Sequence, residues 1–155
     1  MRIFIWMLCI GLAPLLFALP EEVMPEPSEP PFQVGDLPLE VGYTIERDDA
    51  PDLNFRIVDQ RMRLYWLDED GLIMEPAVSA VTIRFDRSTI RGPTRDIHKL
   101  QQLDDDTALG SPYILVPPFI YNITLVIGAS GSDELASFRF RFTPEMNKVK
   151  EPTSD

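Results

Sequence analysis

Apolar and polar residues alternate along most of this chain, and helical spacing is scarce. Leu39, Val41, Tyr43 and Ile45 alternate with Glu40, Gly42, Thr44 and Glu46, and Leu53, Phe55 and Ile57 alternate with Asn54, Arg56 and Val58. Met62, Leu64 and Trp66 alternate with Arg61, Arg63 and Tyr65, and Val81, Ile83 and Phe85 alternate with Thr82, Arg84 and Asp86. Ile114 and Val116 share a face. Tyr121, Ile123, Leu125 and Ile127 share another, with Asn122 and Thr124 opposite, and Phe138, Phe140 and Phe142 are interleaved with Arg139 and Arg141. A period of two sends one set of side chains to a core and the other to water, the mark of half-buried antiparallel strands.

Turn-forming clusters separate these runs: Asp48-Asp49-Ala50-Pro51, Asp68-Glu69-Asp70-Gly71, Gly92-Pro93, Asp104-Asp105-Asp106 and Gly128-Ala129-Ser130-Gly131-Ser132. About seven short strands with such turns predict an all-β, antiparallel β-sandwich or barrel, of which we expect the sandwich. Ile97, Leu100 and Leu103 depart from the pattern with a spacing of three. They fall in the long connection after Phe85, where we expect an edge strand or a loop. The sharpest local signal is Val116-Pro117-Pro118-Phe119-Ile120-Tyr121. Proline cannot donate to a sheet, so a buried strand begins at Tyr121, just after a proline-fixed corner.

The termini read differently. Met1-Arg2 is followed by an almost wholly apolar run to Phe17, then Ala18 and the acidic Glu21-Glu22, the layout of a secretory signal peptide over residues 1–18. Uncleaved, the same segment is at the short limit of the roughly 17–25 residues that span a bilayer, so contact with a membrane is expected only in that case. Residues 19–31 are rich in proline and glutamate and read as a disordered spacer. Residues 144–155 read as a frayed tail, which leaves residues 32–143 as one folded unit.

Charge and cysteine content narrow the function classes. The formal net charge is −11, which opposes binding to nucleic acid or to anionic membrane surfaces. The only cysteine, Cys9, lies in the apolar leader. The exported chain therefore has no disulfide, thiolate nucleophile or cysteine metal site, and must be held by its core. These features point to a secreted or periplasmic domain.

Met62-Arg63-Leu64-Tyr65-Trp66 ends a strand in a core-facing tryptophan, and Val116, Pro118 and Tyr121 place an apolar residue five before a tyrosine and a proline three before it. Together these resemble the tryptophan strand and the tyrosine-corner strand of fibronectin type III domains, within the wider immunoglobulin-like class. The resemblance implies structural roles for Trp66, Pro118 and Tyr121, with the tyrosine hydroxyl bonding back to nearby backbone. The chain departs from the pattern at Ile120, at the extra Pro117 and in the long Arg87–Gly110 connection. A weaker similarity, through Asp68-Glu69-Asp70-Gly71 and Glu75-Pro76-Ala77-Val78, is to small periplasmic sandwich domains that handle copper.

Little catalytic chemistry is legible. Copper needs clustered imidazole or thioether ligands, whereas His98 is the sole histidine and reads as a solvated loop residue. Met62 reads as core, Met24 and Met146 as tail residues. Asp68, Asp70 and Asp104–Asp106 lack the ligand spacing of a calcium loop unless two turns converge. Gly128-Ala129-Ser130-Gly131 breaks the Gly-x-Ser-x-Gly spacing of a nucleophile elbow, and no helix follows it. We therefore expect no catalytic residues, no metal site and no cofactor. Arg61, Arg63, Arg84, Arg139 and Arg141 occupy outward strand positions in an otherwise acidic chain. In a fibronectin-like sandwich Arg84, Arg139 and Arg141 share one sheet with Asn122 and Thr124, a candidate surface for an acidic protein partner. The reading is an exported, non-enzymatic binding or structural module, with a metal-handling accessory domain as the alternative.

Overall fold

The computed structural model describes residues 25–89, 92–128 and 135–149, so the expected signal peptide and most of the glycine-serine turn lie outside the described residues. The described chain is all-β. Its strands are β1 (Pro27–Ser28), β2 (Leu37–Pro38), β3 (Tyr43–Ile45), β4 (Asp52–Val58), β5 (Arg61–Leu67) and β6 (Ile73–Met74). They continue with β7 (Ala80–Thr89), β8 (Gly92–Gln102), β9 (Leu109–Gly110), β10 (Tyr121–Gly128) and β11 (Leu135–Phe142). One sheet runs β11-β10-β7-β8-β9-β5-β4-β3, with β6 also on β5, and every pairing in it is antiparallel. A separate parallel pair joins β1 to β2.

Local chemistry sets the hairpins. Between β4 and β5 a two-residue turn has Asp59 and Gln60 at φ 47° and 62°, the left-handed pair whose twist matches the flanking strands. The sheet then curls until its ends meet. The Tyr43 ring of β3 stacks on Phe140 of β11 with centroids 4.2 Å apart, and Phe55 of β4 sets its ring edge-to-face against Phe140 and Phe142. The result is one nearly closed, barrel-like sheet. Its interior holds the alternating residues read from the sequence, among them Phe55, Met62, Leu64, Trp66, Ile83, Leu125 and Phe142. Truncating an aromatic side chain as buried as Trp66 typically costs about 3–5 kcal/mol.

Two segments differ from the sequence expectation. Only Tyr43–Ile45 of the 39–46 run is a strand; Leu39 and Val41 belong to a segment lying outside the sheet, where their carbonyls accept from Arg56 and Asn54 side chains. Ile114 and Val116 are not in a strand either: they are exposed in a loop whose Leu115 is buried, its N–H donating to the Gln60 carbonyl at 2.7 Å. The Ile97–Leu103 segment, expected as an edge strand or a loop, falls in strand β8 as far as Gln102, paired with β7 along Ala80–Thr89.

The larger correction concerns the outer face of β4 and β5. Alternation predicts water there, yet Asn54, Arg56, Tyr65 and Leu67 are all buried. They are covered from the stretch Pro31 to Val41, by the Phe32 ring near its start and the Leu39 and Val41 carbonyls near its end. Phe32 is fully buried and packs edge-to-face on Tyr65 at 5.1 Å, with the Arg56 guanidinium 5.3 Å from its ring centroid. Asp106, expected to be a solvated turn residue, anchors this strap. Its carboxylate accepts from the Phe32 N–H at 3.2 Å, the Ala108 N–H at 3.3 Å and the Tyr65 hydroxyl at 2.8 Å, and it lies 3.5 Å from the Arg63 guanidinium. Arg63 is therefore not an outward, solvated arginine. Thr107 returns both its N–H and its hydroxyl to the Phe32 carbonyl.

Order also extends past both ends of the expected 32–143 unit, through β1 and through a 3-10 turn at Pro144–Asn147. The Asn147 side chain bonds both the N–H and the carbonyl of Ile57. Met146 packs on the core and its carbonyl accepts the Gly42 N–H. Gly42 sits at φ 91° with the Phe55 carbonyl 2.5 Å from where a Cβ would be, so only glycine fits this crossing.

Removing the Asp106 carboxylate strands a buried hydroxyl, two N–H groups and a guanidinium. Asp106→Ala is expected to lower unfolding free energy by about 3–5 kcal/mol, read by urea denaturation. Asp104→Ala on the exposed part of the same turn is expected to change it by less than about 0.5 kcal/mol.

Candidate functional site

The opposite outer face, on β11-β10-β7-β8, has no such cover among the described residues. Antiparallel register lays its side chains out in rows. Arg139, Thr124, Arg84 and Ile97 face one another in sequence across the four strands, and Arg141, Asn122, Asp86 and Arg95 form the next row. Ser137, Val126, Thr82 and Lys99 form a third. The three arginines expected to share a sheet with Asn122 and Thr124 do so, and Arg95 and Lys99 join them. The latter two escaped sequence reasoning because the segment holding them broke the alternating apolar pattern. Its exposed positions nevertheless alternate, at Pro93, Arg95, Ile97 and Lys99.

Asp86 is the only carboxylate in these rows. It lies 3.4 Å from Arg84 and 3.1 Å from Arg95, so a single negative charge is shared between two arginines. Arg84 also donates to the Thr124 hydroxyl at 3.3 Å, while its Nε is buried without a hydrogen-bond partner among the described residues. Arg139, Arg141 and Lys99 make no ion pair among the described residues. The face is thus strongly cationic on a chain of net charge −11. Ile97, 64 % exposed, supplies an apolar contact within it.

At one end the face continues into a groove of about 490 Å³, lined by Arg141, Asn122, Asp86, Arg87 and the proline corner. Exposed Val116 and Ile120 rim it. The corner is held as the resemblance implied: the Tyr121 hydroxyl donates to the Val116 carbonyl at 2.9 Å, and the ring is buried edge-to-face on Phe85. The Pro117–Pro118 peptide is cis, and the Ile120 N–H bonds the Pro118 carbonyl. Tyr121 therefore fixes the floor from which β10 presents Asn122 and Thr124.

Other residues singled out from the sequence are engaged elsewhere. His98 lies on β8 rather than in a loop, with its ring centroid 5.4 Å from that of Phe85 and 4.3 Å from that of Tyr113. Met62 is core, and Met74 lies on β6. The Asp68–Asp70 turn faces Asp48 and Asp49 across an open cleft, not Asp104–Asp106. The Asp68 carboxylate is occupied by the N–H groups of Asp70 and Leu72 in its own turn, and that of Asp52 by the Arg47 N–H. Among the described residues no group of three or more His, Cys, Asp or Glu side chains is disposed to hold a metal ion.

Comparison of the chain with family models, with curated proteins and with solved structures gives no significant match.

Burial raises the Tyr121 phenol above its ordinary value, and burial together with the Asp106 hydrogen bond raises that of Tyr65 further. A phenol whose folded pKa is raised stabilises the fold fully below the unfolded value of about 10 and loses that contribution as pH climbs above it. Absorbance titration at 295 nm is expected to show two tyrosines ionising above pH 10, Tyr65 after Tyr121, together with falling thermal stability. Tyr121→Phe removes the hydroxyl that bonds Val116 and is expected to cost about 1 kcal/mol, measured at neutral pH by denaturant unfolding.

Proposed function

We propose that the protein is an exported, non-enzymatic binding module built on an immunoglobulin-like sandwich related in layout to fibronectin type III domains. Strand order supports the sandwich reading. Taking β4, β5 and β9 as strands A, B and E and β7, β8, β10 and β11 as C, C′, F and G, the neighbours fall in the order A-B-E and C′-C-F-G. The buried Trp66 on the second strand and the Tyr121–Val116 bond at the start of strand F support it as well. Export is supported by the basic-then-apolar leader.

The observation that carries the binding role is the cationic outer face of β11-β10-β7-β8. Arg84, Arg95, Lys99, Arg139 and Arg141 share that face with a single carboxylate, Asp86, while the opposite face is sealed by the Phe32 strap. Clustered like charges repel in the free protein, and an acidic protein surface relieves that repulsion while the apolar Ile97 and Ile120 add contact area. The partner is therefore an acidic protein at the cell surface or in the envelope.

Capture of an acidic protein from native extract by the folded domain is expected to weaken steeply with added salt. It should be lost in the combined Arg84→Ala, Arg139→Ala, Arg141→Ala variant, whose melting temperature stays close to that of the parent. Equal capture by parent and variant contradicts the assignment of this face.

A further inference from the structure

The chain treats its strand edges unequally. The β3 and β11 ends of the sheet close on one another through the Tyr43–Phe140 stack, and β4 beyond β3 has its Ile57 backbone groups satisfied by the Asn147 side chain. Strand β8 is covered on its inner side, where the Tyr113 ring packs on His98, but its outer backbone edge has no comparable partner among the described residues. It pairs with β7 along its whole length, but on its other side only Gln101 and Gln102 meet a strand, β9. Among the described residues, Pro93 to Leu100 has no strand beside it, and no backbone hydrogen bond outside the β7 ladder reaches it. Such an edge is a template for an added strand.

The side chains on this edge select what it accepts. Arg95, Ile97 and Lys99 stand exposed at alternate positions on the cationic face. A second copy of β8 paired antiparallel about Ile97 would set Arg95 directly opposite Lys99 twice, and like charges at directly opposed positions are unfavourable. Self-pairing is therefore opposed. An antiparallel strand reading acid-x-apolar-x-acid instead sets a carboxylate opposite Lys99, an apolar side chain opposite Ile97 and a second carboxylate opposite Arg95. Asp86, already shared by Arg84 and Arg95, leaves positive charge in excess at this edge.

We propose, resting on the binding role of this face, that the β8 edge over Pro93–Leu100 captures an extended acidic peptide segment of its protein partner by strand addition. Backbone pairing gives the affinity, and the alternation of carboxylate and apolar residues gives the register. The flat arginine rows of β7 and β11 then flank the added strand rather than form its main contact.

The test uses a fluorescent peptide with glutamate-threonine-isoleucine-threonine-glutamate at its centre. Its controls are a peptide of the same composition with the two acids adjacent and one with lysines for glutamates. The first is expected to bind at least tenfold more tightly than either control in fluorescence anisotropy, and to slow amide hydrogen exchange within residues 93–100 but not in β11. The Arg95→Glu, Lys99→Glu double variant is expected to reverse the preference toward the lysine peptide while keeping the parent melting temperature. Binding of the acidic peptide without slower exchange in β8, or unchanged in the double variant, overturns strand addition. If that binding is also lost on replacing Arg84, Arg139 and Arg141 with alanine, the arginine rows remain the contact surface and only the edge is wrong. Equal binding of the acidic peptide and its adjacent-acid control overturns the proposed register.

Discussion

The buried carboxylate of Asp106 is the constraint on which the architecture turns. It lies between three parts of the chain far apart in sequence: the Phe32 strap, the outer face of β5 through Tyr65 and Arg63, and the approach to β9 through Ala108. A charge so placed is tolerable only because donors surround it, since an ion removed from water without partners costs several kcal/mol. The same bonds seat Phe32 on Tyr65 and so convert an outer sheet face into a second small core of Phe32, Tyr65, Leu67, Ile73 and Ala108. The chain's one cysteine is Cys9, so among the described residues this network, which joins positions as far as 74 apart in sequence, supplies the long-range fastening, and the Tyr121–Val116 bond a local one.

Sealing one side gives the molecule a direction. β4 and β5 are buried on both faces, whereas β7, β10 and β11 follow the simple rule of apolar inward and polar outward. The basic residues on the outer face of β7, β8, β10 and β11 therefore stand as a group, in rows set by antiparallel pairing. Arg56 and Arg63, on β4 and β5, are spent on structure, one over the Phe32 ring and one beside Asp106. Sequence position alone assigns all these arginines to the outside. The fold divides them into a fastening set and an exposed set.

That division explains what was legible in the sequence. Alternation located β4, β5, β7, β10 and β11 because each buries an apolar face, and it placed Arg84, Arg139 and Arg141 on one surface because register carries parity from strand to strand. It left β8 as an edge strand or a loop, because its exposed edge lets Ile97 point to water and breaks the apolar signal. It missed the strap. Nothing in the local pattern distinguishes Asp106 from Asp104 or Asp105, and Tyr65 and Arg63 read as solvated because their cover comes from residues more than twenty positions away. The Tyr121 corner was legible because proline chemistry and strand parity act within a few residues. Long-range burial of polar groups has no such local trace.

The central claim is that partners meet the open cationic layer and not the sealed one. Residue-resolved NMR shift mapping of the isotopically labelled domain, titrated with the captured acidic protein, tests this most directly. The account predicts that the largest perturbations cluster on Thr82, Arg84, Arg95, Ile97, Lys99, Thr124 and Arg139, with Phe32, Tyr65 and Ala108 unmoved. Perturbations centred on the Phe32 strap and Tyr65, with the β7–β8 rows silent, would contradict it.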